Sequence, residues 1–117
     1  MPQVGIVISN YNGWQDTVRC LESLDKQTFR DFEIILLDDA STNDSVQQLG
    51  QHLTANTVFL PQRENTGFAA VNNLGMRRAL ADGKRVACPR CIEGTREMEF
   101  YYIRSLDDLE KRARPAE

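Results

Sequence analysis

A chain of 117 residues, 41% hydrophobic and 26% charged, has room for one core and the composition of an ordinary globular domain. Its net charge of −3 gives no reason to expect nucleic acid or an anionic membrane surface as partner, and no apolar run approaches the roughly 20 residues of a membrane span. Met1-Pro2-Gln3 is not the basic start of a signal peptide, and three cysteines are an odd count that suits a reducing, cytoplasmic setting.

Residues 4 to 9, VGIVIS, form a β-branched run closed by the turn-forming Asn10-Tyr11-Asn12-Gly13, which predicts a first strand. Apolar residues then fall near helical spacing at Trp14, Val18, Leu21 and Leu24, with Asp16 and Thr17 suited to the first turn. TFRDF, residues 28 to 32, breaks this helix, and residues 33 to 37 form a second strand. Residues 41 to 53 supply cap candidates and a weaker helix. Residues 56 to 62 read as a third strand ended by Pro61. A loop then leads into a helix over 69–81, with Gly83 as its stop.

Strand and helix alternating three times predict an α/β fold: a three-layer αβα arrangement around a mainly parallel, Rossmann-like sheet. The continuous apolar runs agree, because a half-exposed strand would alternate. In such sheets ligands bind outside the carboxyl ends of the strands. Asp38 and Asp39 fall there at the end of the second strand, and so does the turn after the first.

Three readings of this acid pair compete. The plainest makes both residues solvated turn formers or caps for the next helix. The second is a receiver domain with a magnesium-binding acidic cluster, but the first strand ends in Ser9 and Asn10 rather than in acids. The third is nucleotide-sugar binding.

Four motifs in order favour the third. Tyr11-Asn12 follows the first strand, Gln27-Thr28-Phe29 the first helix, and Asp38-Asp39-Ala40-Ser41 the second strand; Asn65, Gly67, Asn73 and Gly75 lie in and after the last loop. Over residues 3 to 83 the chain resembles the opening of family 2 glycosyltransferases, inverting enzymes with a GT-A fold, and its Gly-Phe-Ala-Ala wording leans toward rhamnosyltransferase-like members. The resemblance implies transfer of a sugar from a nucleotide-diphosphate donor to an acceptor hydroxyl. It also implies a nucleotide site: Ser9 offering a hydroxyl or backbone contact, Tyr11 stacking on the base, and Asn12 in the same turn. Asp39 accepts the base's ring N–H in this scheme, Asp38 holds the loop, and Asn65 and Gly67 lie on the same edge. A carboxylate suits that acceptor role because it offers only lone pairs, and a uracil-like ring presents an N–H between two carbonyls.

After Gly83 the resemblance stops. The family implies a fourth strand ending in an Asp-x-Asp motif for Mg²⁺ or Mn²⁺, and farther on a catalytic acid acting as general base. Residues 84 to 117 give neither. Glu97 and Glu99 have the spacing but precede Phe100-Tyr101-Tyr102-Ile103 rather than ending a strand. Asp107-Asp108 stands in a Ser105–Asp108 spacing that reads as a helix start over 105–114. Cys88-Pro89-Arg90-Cys91 lacks the second ligand pair a zinc knuckle needs and opens no redox helix, so it reads as two thiols in a turn. The chain is thus expected to divide into a nucleotide-sugar-binding segment, 1–83, and an unassigned tail, 84–117, adding a strand at residues 97 to 104 and a helix. The length is less than half that of a complete enzyme of the family. The expected activity is nucleotide binding without turnover. The alternative is a non-catalytic interaction module on the same scaffold. An uncovered sheet edge favours a homodimer.

Overall fold

A computed structural model describes residues 3–91 and 98–103. Within them the elements run β1 (Val4–Asn10), α1 (Trp14–Asp25), β2 (Phe32–Asp38), α2 (Ser45–Gly50), β3 (Thr57–Pro61), α3 (Phe68–Ala81), β4 (Arg85–Cys91) and β5 (Met98–Ile103). The strands form one sheet in the order β3-β2-β1-β4-β5. β1 pairs in parallel with both β2 and β4, and β2 with β3, while β5 runs antiparallel to β4. The expected α/β class and mainly parallel sheet are therefore observed.

The period of two along each strand sorts the core into two layers. Ile6, Ile8, Ile34 and Leu36 face α1 and α2, where they meet Val18, Leu21, Leu24 and Leu49. Val7, Ile35 and Leu37 point the other way, onto Val71, Met76 and Ala79 of α3. Each buried side chain of this size contributes roughly 1.5–3 kcal/mol, so the two layers hold most of the fold's apolar stabilisation.

The α3 layer is close-fitting because its contact residues are small. A Cβ on Gly75 would stand 2.6 Å from Leu37 Cδ1 and 2.7 Å from Val7 Cγ1. Gly5 gives the same room farther down, where a Cβ would lie 2.9 Å from Ala79 Cβ. Gly83 stops α3 as expected: its φ is +75°, Gly83 N donates to Leu80 O, and Lys84 N donates to Ala79 O. These two bonds form the Schellman pattern that satisfies the last helical carbonyls.

Two segments differ from expectation. Helix α2 covers only Ser45–Gly50, because residues 41 to 43 are held by side chains from two other segments. And Cys88-Pro89-Arg90-Cys91, expected as a turn, lies inside β4, so that two strands rather than one follow Gly83. Proline argues against a central strand because it cannot donate to a ladder on both sides. The β1 ladder with β4 stops at Ala87, and Pro89 pairs only with Phe100 of β5, which removes the objection. The strand expected at residues 97 to 104 is β5. The helix expected over 105–114 lies outside the described residues, as do Glu97, Ser105, Asp107 and Asp108.

Candidate functional site

At the carboxyl ends of β1 and β2, between the first turns of α1 and α3, lies a cavity of about 530 Å³. The chain runs from β1 outward to β2 and β3, then crosses back to β4 on the other side of β1. The cavity thus sits beside the strand at which the sheet order reverses, the usual binding position in such folds. Ser9, Asn10 and Tyr11 line it from β1 and its turn, and Gly13 and Thr17 from the start of α1. Asp39 lines it from the end of β2, Asn65 and Gly67 from the β3–α3 loop, and Phe68 and Val71 from α3.

The two neighbouring acids do different work. Asp38 is fully buried, and its carboxylate joins its own turn to the end of β1. Oδ1 accepts from Ser41 Oγ at 2.6 Å and from Asn10 Nδ2 at 2.9 Å, and Oδ2 accepts from Ser41 N at 2.9 Å. Asn10 is itself 3% exposed, and its Oδ1 accepts from Thr17 Oγ1 at 2.7 Å, which ties the network to the first turn of α1. A buried carboxylate is stable only with such partners.

Asp39 reaches across to the next loop. Its Oδ1 accepts from Thr66 N at 2.9 Å and Thr66 Oγ1 at 3.3 Å, and its Oδ2 from Gly67 N at 2.9 Å. Its main-chain carbonyl accepts from Asn65 Nδ2 at 3.0 Å. Gly67, at φ +96°, precedes α3 and has no side chain to cap it. Asp39 instead holds the two residues just ahead of the helix, accepting from the amides of Thr66 and Gly67. A carboxylate has about four lone-pair sites, and three are engaged here, so acceptor capacity remains on Oδ2.

Ser9, Tyr11, Asp39, Asn65 and Gly67 are brought together around one cavity. Asp38 and Asn12 are not among its lining residues. Asp38 lies beneath it, holding the loop, and the Asn12 side chain turns to residues 42 and 43.

The sequence matches the profile of Glycosyl transferase family 2 over residues 5–88. The chain belongs to this family. It is 35% identical over 78 residues to a chondroitin synthase of Escherichia coli, covering 66% of this chain and 11% of that protein. It is 36% identical over 75 residues to the glycosyltransferase GlyG of Streptococcus pneumoniae, covering 62% of this chain and 25% of that one. Among solved structures, S. aureus TarS 1-349 in complex with UDP superposes with a TM-score of 0.60 at 25% identity, over 74% of this chain and 26% of TarS. The chain therefore spans between about a tenth and a quarter of these relatives' lengths.

Membership in glycosyl transferase family 2 implies a divalent metal held by acids after the fourth strand. β4 stands beside β1 in the corresponding place, yet its second half is Cys88-Pro89-Arg90-Cys91 and offers no carboxylate. Among the described residues no three His, Cys, Asp or Glu side chains converge on a common point. Mg²⁺ and Mn²⁺ select oxygen ligands, so the described residues of β4 do not fit that metal. Among the described residues, no helix is long and apolar enough to cross a membrane.

Sequence reasoning did not single out Asn10, Gly13, Thr17, Phe68 and Val71, which also line the cavity. Asn10 had a legible signal, a polar side chain closing a strand that is otherwise buried. Phe68 had none, because no spacing marks an aromatic just ahead of a predicted helix as a rim residue; it opens α3 and is 78% exposed on the cavity rim.

Proposed function

We propose that this chain is the nucleotide-binding part of a glycosyltransferase that moves a sugar from a nucleotide-diphosphate donor to an acceptor hydroxyl. The observation that carries the reading is the pairing, on one cavity, of a half-exposed aromatic ring, Tyr11, with a buried carboxylate, Asp39. A flat base stacks on the ring, contributing about 1–3 kcal/mol, while its ring N–H is accepted by Asp39 Oδ2. Ser9 contacts the ribose side. Asn65 and Gly67 border the diphosphate at the start of α3, where the helix dipole favours negative charge. Asp38 and Asn12 support this set from behind. UDP bound to TarS, a relative with the same fold, supports a uridine-type donor.

In this reading residues 1–83 supply the ligand contacts, residues 84–117 extend the sheet beyond β1 without adding to the site, and the protein works in the cytoplasm. With no Asp-x-Asp motif in the sequence after the fourth strand, the chain binds nucleotide but turns over no donor sugar, and Mn²⁺ does not strengthen binding beyond its effect on the free nucleotide. The outer edge of β5 has no partner strand among the described residues, and we propose a homodimer through that edge. Light scattering at tens of micromolar checks it, and a monodisperse monomer would remove it.

Titration calorimetry with UDP, GDP and CDP tests the reading. Saturable UDP binding is expected, with CDP weaker because the cytosine ring nitrogen is an acceptor facing another acceptor. Asp39→Ala should cost about 1–3 kcal/mol of affinity. No saturable binding of any of the three nucleotides would end the proposal.

A further inference from the structure

The Asn12 side chain points away from the cavity and makes more contacts with the neighbouring turn than any other residue of its loop. Its Oδ1 accepts from Thr42 N at 2.8 Å and Asn43 N at 3.3 Å, and its Nδ2 donates to Thr42 Oγ1 at 3.1 Å. Its main chain joins in: Asn12 N donates to Ser41 Oγ at 2.9 Å, and Asn12 O accepts from Asn43 Nδ2 at 3.0 Å. All five bonds cross some 30 positions of sequence, from the β1–α1 turn to the β2–α2 turn. Asn12 also has a φ of +57°, a left-handed conformation that asparagine tolerates better than most side chains. A residue that enters this conformation reverses the chain immediately after Tyr11.

We infer that Asn12 is a positioning residue: it zips the two turns together and thereby fixes the Tyr11 ring as a preformed stacking platform, without itself touching the ligand. The inference rests on the nucleotide-binding reading for its consequence but not for its geometry. Tyr11 is half exposed, and no hydrogen bond of its own side chain anchors it among those of the described residues. Its placement therefore depends on the backbone at Asn12. Without the zip, ordering the turn falls to the binding event, and the affinity drops by the fraction of time the ring is in place.

The test separates contact from positioning. Asn12→Gly keeps the positive φ accessible and removes only the side-chain clamp. It should weaken UDP binding roughly fivefold to tenfold in the wild-type background, within the coupling range of neighbouring residues. In a Tyr11→Ala background the same change should have no further effect. Asn12→Asp retains the acceptor for Thr42 N and Asn43 N and should restore most of the affinity. Asn43→Ala, on an exposed partner, should act in the same direction as Asn12→Gly and serves if that variant folds poorly. Effects that add in the double variant would show Asn12 contacting the ligand and overturn the inference. Unchanged affinity in Asn12→Gly would overturn it as well. Should the wild-type chain bind no UDP, the nucleotide reading falls, and NMR order parameters for Tyr11 in the ligand-free protein still decide this one. They should drop in Asn12→Gly, and equal values would refute the zip.

Discussion

The two loops that border the cavity are fastened in opposite ways. The turn after β2 is held redundantly, by side chains of Asn10, Asn12, Asp38, Ser41 and Asn43 that bond one another in several combinations. The loop before α3 is held at one point, since Thr66 and Gly67 both donate to the Asp39 carboxylate and Asn65 to its carbonyl. Asp38 and Asp39 are adjacent, chemically identical and both buried, yet one ties its own turn to the end of β1 and the other reaches the loop before α3. The difference follows from strand geometry: successive residues point to opposite sides, so consecutive acids at a strand end can reach two different loops.

The redundant turn still has one member that everything else leans on. Asp38→Ala would leave the buried Asn10 Nδ2 and the part-buried Ser41 N and Ser41 Oγ without their carboxylate acceptor. It should cost about 3 kcal/mol of stability, the sum of lost charged hydrogen bonds and unpaired donors, read as a lower denaturation midpoint in urea. A loss below half that would mean that water enters and replaces the carboxylate.

Asp39→Ala probes the singly fastened loop. Its partners are part-buried, so water can reach some of the freed donors, and a smaller cost of about 2 kcal/mol is expected. The sharper readout is local. Amide exchange should accelerate at Thr66, Gly67 and Val71 and stay unchanged at Thr42 and Asn43. Acceleration at both loops would show that they are one unit and dissolve the contrast.

The same loop has an indirect support in the seating of α3. Gly75→Ala places a methyl within 3 Å of both Leu37 and Val7, and overpacking of this kind costs about 1–3 kcal/mol. Alanine returns about 1 kcal/mol through helix propensity, so a net destabilisation near 1 kcal/mol is expected. Because α3 must shift outward, Gly67 and Phe68 move with it, and UDP affinity should fall together with stability. Unchanged affinity would mean that Asp39 alone places the loop.

What the sequence made legible was local. Strands β1, β2 and β3, helices α1 and α3 and the Gly83 stop each rest on a run of neighbours with one period or one conformational demand, and each was found where expected. The acid pair was rightly placed at the sheet's carboxyl end. The division of labour within it was only half readable, since holding a loop was assigned to Asp38 while the bonds from Asp39 to Thr66 and Gly67 join segments far apart in sequence. The shortened α2 has the same cause: Ser41 and Thr42 look like helix caps by composition but are claimed by Asn10, Asn12 and Asp38, while Asn43, though tied to Asn12, still accepts from Ser45 N at the helix start. β4 was hidden by Pro89, whose tolerance depends on which neighbours pair with the strand there. Competition among distant partners leaves no periodic trace.

The smallest expected effect has the opposite sign to the rest and separates conformation from contact. Ala40 sits between Asp39 and Ser41 with φ +60°, almost the same backbone state as Asn12 at +57°. For an L-residue with a Cβ that state costs roughly 1–2 kcal/mol, which glycine does not incur. Glycine also widens the unfolded ensemble by about 0.4–1 kcal/mol, so Ala40→Gly should stabilise the protein by a net of about 0.5 kcal/mol. Asn12→Gly relieves the same conformation but removes the three side-chain bonds to Thr42 and Asn43, and should therefore destabilise. Two substitutions to glycine, at matched φ and on facing turns, thus differ in sign solely because one side chain bridges the turns and the other is a methyl group. If Ala40→Gly also lowers the denaturation midpoint, the strain at residue 40 is smaller than its φ implies, and the polar network must be holding the turn against little resistance.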